Sequence, residues 1–139
     1  MTSLRQGQII WTPVRDPFGN PPANHPVIII SSDDDNKTHD TVVGVVASHT
    51  SAMMKPRPDG CIALPFHPNG NCLTGFRKET VAVCKWIVSI PSDGHEIRGE
   101  VPKRVLIEIM KQIEEIRQAS IKAKASAKVA PPAFDEPNQ

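Results

Sequence analysis

Histidine, arginine and lysine are the side chains here best able to move protons or hold phosphates near neutral pH, and they are unevenly placed. His25 stands directly before Pro26, His49 follows Ser48, and His67 follows Phe66. An imidazole beside an aromatic ring suits stacking on an unpaired base, which makes His67 a candidate contact; a surface histidine in a turn is the plain alternative. The stretch Lys55-Pro56-Arg57-Pro58-Asp59 is basic and stiffened by proline, and Arg15, Arg77 and Lys78 add cations that can hold phosphates. Each of these cations also reads as ordinary solvated charge. His25 alone reads as a loop residue before a proline, and Ser48 as a hydroxyl that caps a turn.

Cys61, His67 and Cys72 have five and four residues between them, but a structural zinc site usually shows a tight Cys-x-x-Cys and four ligands. The expectation is therefore no metal and no cofactor. If the strand ending near Ser48 continues, His49 faces away from Ser48, because successive strand side chains alternate, and it is left out of the site.

The elements that must position these groups are mostly strands. Gln8 to Val14 reads as the first, followed by a long loop from Arg15 to Asn24 rich in turn formers. Pro26 to Ser31 is the second strand, closed by Asp33-Asp34-Asp35 as an acidic loop, and Thr41 to Ser48 is the third, with Gly44 suggesting a bulge or sharp bend. A second long loop, Thr50 to Gly60, precedes a short strand from Cys61 to Phe66. Thr80 to Ile90 is the clearest strand and is expected at the centre of the sheet. From Pro102 to about Gln118, Val105, Leu106, Ile109, Met110, Ile113 and Ile116 recur at helical spacing opposite a charged face. Trp11, Cys84 and Trp86 read as core, with the dimer surface an alternative for Trp11.

The 139 residues suit one domain, here 1–118, with 119–139 as a basic, flexible tail rich in Ala, Lys and Pro. A net charge of +1 gives no global attraction for nucleic acid, so any such binding must come from a local patch. The three cysteines form an odd, sparse set, which argues against a disulfide framework. No apolar run approaches the roughly 20 residues needed to span a bilayer, and Met1-Thr2-Ser3-Leu4-Arg5 lacks the order of a signal peptide. A cytoplasmic location without membrane contact is expected.

Three segments carry a resemblance. Leu4-Arg5-Gln6-Gly7-Gln8-Ile9-Ile10-Trp11 resembles the opening strand of the PemK/MazF toxins, and His25-Pro26-Val27-Ile28-Ile29-Ile30-Ser31 resembles their second strand. Gly75-Phe76-Arg77-Lys78-Glu79-Thr80-Val81-Ala82-Val83-Cys84 is similar to the segment leading into their last core strand, and is the most specific of the three. The resemblance covers roughly Leu4 to Ile116. It implies a mainly β fold: an SH3-like barrel of the PemK/MazF/CcdB type, of about five strands with a C-terminal helix, forming a homodimer. It also implies a metal-independent endoribonuclease for single-stranded RNA, neutralised by a cognate antitoxin, with operator DNA bound only together with that antitoxin.

The family places a principal catalytic arginine just before the proline of the second strand; here that position is His25. A histidine exchanges protons near neutral pH but lacks arginine's permanent planar charge. The resemblance also implies a catalytic hydroxyl at the end of the third strand, matched by Ser48, or by Thr50 if the register slips. A second reading follows from the arginine-to-histidine departure: a module that binds nucleic acid or antitoxin but has lost cleavage.

Overall fold

Ile9 and Ile10 are neighbours in the chain and both are fully buried, which a strand permits only when both faces of its sheet are covered. The structure, a computed structural model, describes residues 3–15, 19 and 21–129, with side chains to 125. Its strands are β1 (Gln8–Val14), β2 (Ala23–Ile29), β3 (Thr41–Ser48), β4 (Cys61–Leu64), β5 (Thr80–Pro91) and β6 (Ile97–Glu100). The helices are α1 (Asp33–Thr38), α2 (His49–Met53) and α3 (Lys103–Val129). The strands form one six-stranded antiparallel sheet in the order β4-β5-β3-β2-β1-β6, curled into a half-barrel.

One face carries Ile9, Ile28, Val45, Ala47, Ala82 and Cys84 and is covered by Val105 and Ile109 of α3, with Ile113 and Ile116 packed alongside. The other carries Ile10, Val27, Ile29, Val42, Val46 and Ile90, closed by Leu4 and flanked by Trp86 and Val88. Burying one such aliphatic side chain is worth about 1.5–3 kcal/mol, so the paired layers are the main source of cohesion.

The gap between β4 and β6 is bridged by the chain from Cys72 to Phe76. Glu100 N–H donates to the Leu73 carbonyl at 3.1 Å, and His67 N–H donates to the Phe76 carbonyl at 2.9 Å. Thr74, almost completely buried, fastens this bridge: its hydroxyl donates to the Pro65 carbonyl at 2.7 Å and accepts from Phe76 N–H at 3.2 Å.

Several expectations need correction. β5 is flanked by β4 and β3 and lies second from the edge, so β3 and β2, not β5, occupy the centre. β6 is a sixth strand, where about five were expected. The aspartate cluster is the first turn of α1: Ser32 caps it by accepting from Asp35 N–H at 3.2 Å, and carboxylates suit a helix N-terminus. β2 begins at Ala23, three residues earlier than Pro26. Of the rest of the expected Arg15 to Asn24 loop, residues 16–18 and 20 lie outside the described residues.

Gly44 is not the bulge. The β3–β5 register shifts between Val45 and Ala47, whereas Gly44 pairs regularly with Val88. Glycine is needed there because an added Cβ would lie 2.3 Å from Val27 Cγ1 and 3.0 Å from the Ile28 carbonyl oxygen. α3 runs past Gln118 to Val129, because Ala and Lys sustain a helix without a core to pack on. The remainder of the expected tail, 130–139, lies outside the described residues, as do Met1 and Thr2.

Candidate RNA-binding hollow

The β2–β3 ladder pairs Ile29 with Gly44, Ile28 with Val45 and Val27 with Val46. The ladder stops there, two residues short of His25 and Ser48, while on the outer sides Thr12 pairs with His25 and Val81 with Ser48. Both residues singled out as catalytic meet in an open hollow of about 480 Å³, lined by His25, Ser48, Arg77 and Lys78 among others.

Ser48 ends β3 and caps α2, accepting from Ser51 N–H at 3.0 Å. Its own hydroxyl hydrogen is not consumed by that bond and remains a donor. Here the capping role and a position in the hollow coincide. The half-buried His25 ring meets Trp86 edge-on, with centroids 5.1 Å apart and planes at 64°. Trp86 is therefore more than core filling: it fixes the imidazole at the head of the sheet.

Arg77 and Lys78 are exposed and lie in the segment leading into β5, just beyond the Cys72–Phe76 bridge. Gly70 makes room for Arg77: with φ at +77°, its Cβ position would stand 3.3 Å from Arg77 Nε. The Gly70 turn is closed by its N–H donating to the His67 carbonyl at 2.8 Å.

The structure does not bring every candidate into the hollow. His67 is exposed, accepts from Asn69 N–H at 3.3 Å through Nδ1, and does not line it. Lys55 and Arg57 line a separate depression with Met53, Met54 and Glu79. Arg57 donates from Nε to the Ala52 carbonyl at 3.1 Å and pairs with the Glu79 carboxylate, so its fork is occupied by protein groups. Arg15 follows the last residue of β1 and is exposed, outside the hollow's lining.

Two residues assigned elsewhere do line the hollow. Trp11, 39% exposed, presents its indole there instead of entering the core. His49 lines it as well, because β3 stops at Ser48 and α2 begins, so strand alternation no longer applies. The signal for this was the cap itself: a serine followed by a short polar run can open a helix as readily as continue a strand. Exposed Trp11, with Arg77 and Lys78, gives the hollow the two surfaces that an unpaired nucleotide needs, a stacking face and a cation for its phosphate, while buried Phe76 backs the floor.

Cys61 and Cys84 are held as thiols, not thiolates, near neutral pH. Burial, with a smaller contribution from nearby Cys61, pushes the Cys84 thiol up to about 11. Burial also raises Cys61, outweighing the opposing charge of Arg57. Among the described residues no three of His, Cys, Asp or Glu gather as metal ligands, and Cys61, His67 and Cys72 stay apart. Among the same residues, no helix is long and apolar enough to cross a membrane.

The raised Cys84 value has a consequence for stability. The native state retains a proton that the unfolded chain releases, so the contribution is intact below the ordinary value of 9.0 and is lost as pH rises towards about 11. Melting temperature is expected to fall across that window, and to fall less in Cys84→Ala. Equal alkaline losses in the two proteins would contradict this.

Residues 5–117 match the family described as PemK-like, MazF-like toxin of type II toxin-antitoxin system. Among solved structures, MazF from Deinococcus radiodurans is similar with a TM-score of 0.62 at 16% identity, over 84% of this chain and 97% of that one. A MazE–MazF complex from the same organism gives a TM-score of 0.59 at 15% identity, over 84% and 97%. An endoribonuclease in complex with its cognate antitoxin, from Mycobacterial species, gives 0.52 at 18% identity, over 81% and 91%. At these identities the structural likenesses establish the fold, and no curated protein matches significantly. The family match spans most of the sequence and coincides with the half-barrel that builds the hollow, and the chain belongs to the PemK-like, MazF-like toxins of type II toxin–antitoxin systems.

Proposed function

We propose that the chain is a metal-independent endoribonuclease that cleaves single-stranded RNA in the cytoplasm as a homodimer and is neutralised by a cognate antitoxin. The observation that carries this reading is the convergence of His25, Ser48, Arg77 and Lys78 on one hollow with aromatic walls. Family membership supports it, since a solved relative is an endoribonuclease held by its antitoxin.

Cleavage without a metal needs a base for the 2′-hydroxyl proton, an acid for the departing 5′-oxygen and positive charge or donors at the phosphate. His25 can transfer a proton. Arg77 and Lys78 supply the charge that an arginine at position 25 would have contributed, and the Ser48 hydroxyl donates to a phosphate oxygen. Attack by the 2′-oxygen forms the new P–O bond as the P–O5′ bond breaks, leaving a 2′,3′-cyclic phosphate and a 5′-hydroxyl. Operator DNA would be bound only in company with the antitoxin.

The test is incubation of the purified protein with a long unstructured RNA in the presence of chelator, followed by mapping of the ends. Fixed cut sites bearing cyclic phosphate are expected. RNA recovered intact would count against the reading.

The replacement of the family arginine by His25 favours a second reading, a module that binds RNA or antitoxin without cutting. That reading expects RNA to be retained and undamaged, and cleavage to appear in His25→Arg.

A further inference from the structure

A histidine and a hydroxyl leave the proton inventory one group short, because the base and the acid must act on opposite oxygens of the same phosphorus. Ser48 is a poor candidate for either, since a hydroxyl neither gains nor loses a proton readily near neutral pH. His49 lies in the same hollow, with one ring nitrogen already anchored.

Its Nδ1 stands 2.6 Å from the Glu79 carbonyl oxygen. A carbonyl can only accept, so Nδ1 carries the hydrogen, and the neutral ring has its lone pair on Nε2. The anchor is itself braced. Arg57 donates from Nε to the Ala52 carbonyl of α2 and pairs through its far nitrogen with the Glu79 carboxylate. One guanidinium thus ties the helix that begins with His49 to the residue that receives the His49 N–H. The arrangement resembles the orientation of catalytic imidazoles elsewhere, where one nitrogen is fixed by an acceptor so that the other works as a base.

We infer that His49 is the general base of the site; the inference rests on the ribonuclease reading above. Nε2 of His49 removes the 2′-hydroxyl proton while the 2′-oxygen bonds to phosphorus. Protonated His25 gives its proton to the 5′-oxygen as the P–O5′ bond breaks. The two imidazoles then return to their starting states by exchange with water, so no other reactant is consumed. Arg57 and Glu79 are positioning residues.

A histidine bonded to a carbonyl can also be purely structural, and His49→Asn separates the two roles. Asparagine keeps an N–H for the Glu79 carbonyl but cannot accept the proton. Single-turnover cleavage of a short RNA by the full chain should fall by about 10²- to 10⁴-fold in His49→Asn. Binding of the same oligonucleotide with a 2′-deoxy substitution at the cut site should be unchanged. The acidic limb of the rate profile, where a base is lost to protonation, should also disappear. The charged groups around the ring, His25, Arg77, Lys78 and the Arg57–Glu79 pair, are common to both proteins, so the difference reports His49. His49→Gly should recover cleavage with added imidazole.

Wild-type rates in His49→Asn, or a loss confined to RNA binding, would overturn the assignment while leaving the ribonuclease reading in place. An inert wild-type protein would overturn both.

Discussion

His25→Ala should slow RNA cleavage by about 10²- to 10⁴-fold, the range by which one positioned proton-transfer group contributes to a rate. The loss should appear in the chemical step and not in substrate affinity, because Arg77, Lys78, Trp11 and Phe76 continue to line the hollow. It should also leave the protein folded. His25 is half-buried, and its aromatic contact with Trp86 is of a kind worth about 0.5–1.5 kcal/mol. Single-turnover cleavage in chelator, alongside a melting curve, checks both parts. An unimpaired His25→Ala would remove this residue from the mechanism. Ser48→Ala is less clean, because it also deletes the cap of α2, a change that typically costs about 0.5–2 kcal/mol and would loosen the helix that starts with His49.

A large effect on stability from a single added methyl is expected at Gly99. A Cβ there would stand 2.5 Å from the Thr74 carbonyl oxygen, 2.8 Å from its carbon and 2.9 Å from the Leu73 carbonyl oxygen. All three are backbone atoms and cannot turn aside as a side chain would. Gly99→Ala must push β6 away from the Cys72–Phe76 bridge, against the bond from Glu100 N–H to Leu73 and the buried Thr74 hydroxyl. Overpacking of this kind costs about 1–3 kcal/mol, and each kcal/mol lowers the melting temperature of a domain this size by roughly 4 °C. A fall of about 4–12 °C is therefore expected, against little change for the exposed neighbour Arg98→Ala. Because the displaced segment leads into Arg77 and Lys78, RNA binding should weaken together with stability. A Gly99→Ala protein that melts like wild type would show that the bridge yields freely.

How legible all this was depended on what held each element in place. β1 and β3 could be read from Gln8 to Val14 and from Thr41 to Ser48 because β-branched runs packed on both faces leave a strong local signature. α1 was hidden, since three aspartates look like a loop; the Ser32 cap before them was the available clue. β6 has only four residues and few apolar ones, so it exists because β1 and the Leu73 carbonyl supply partners that no local pattern announces. The same distinction governs the site. His25 and Ser48 follow from their places in the resembling strands, and Arg77 and Lys78 from the segment entering β5. His49 is not legible in the sequence because its orientation turns on where β3 ends, and Arg57 reads as a free cation because its partner Glu79 is 22 residues away in sequence.

The bridge between β4 and β6 also bears on how other chains can attach. An open sheet ordinarily offers its outermost strands as templates, inviting either aggregation or recruitment of a foreign strand. Here the two margins of the curl are short, at four residues each, and the Cys72–Phe76 crossing takes up Glu100 N–H of β6 and the chain at Pro65 and His67 just past β4. An incoming peptide would therefore gain little by lengthening the sheet, and is steered instead towards side-chain recognition in the concavity.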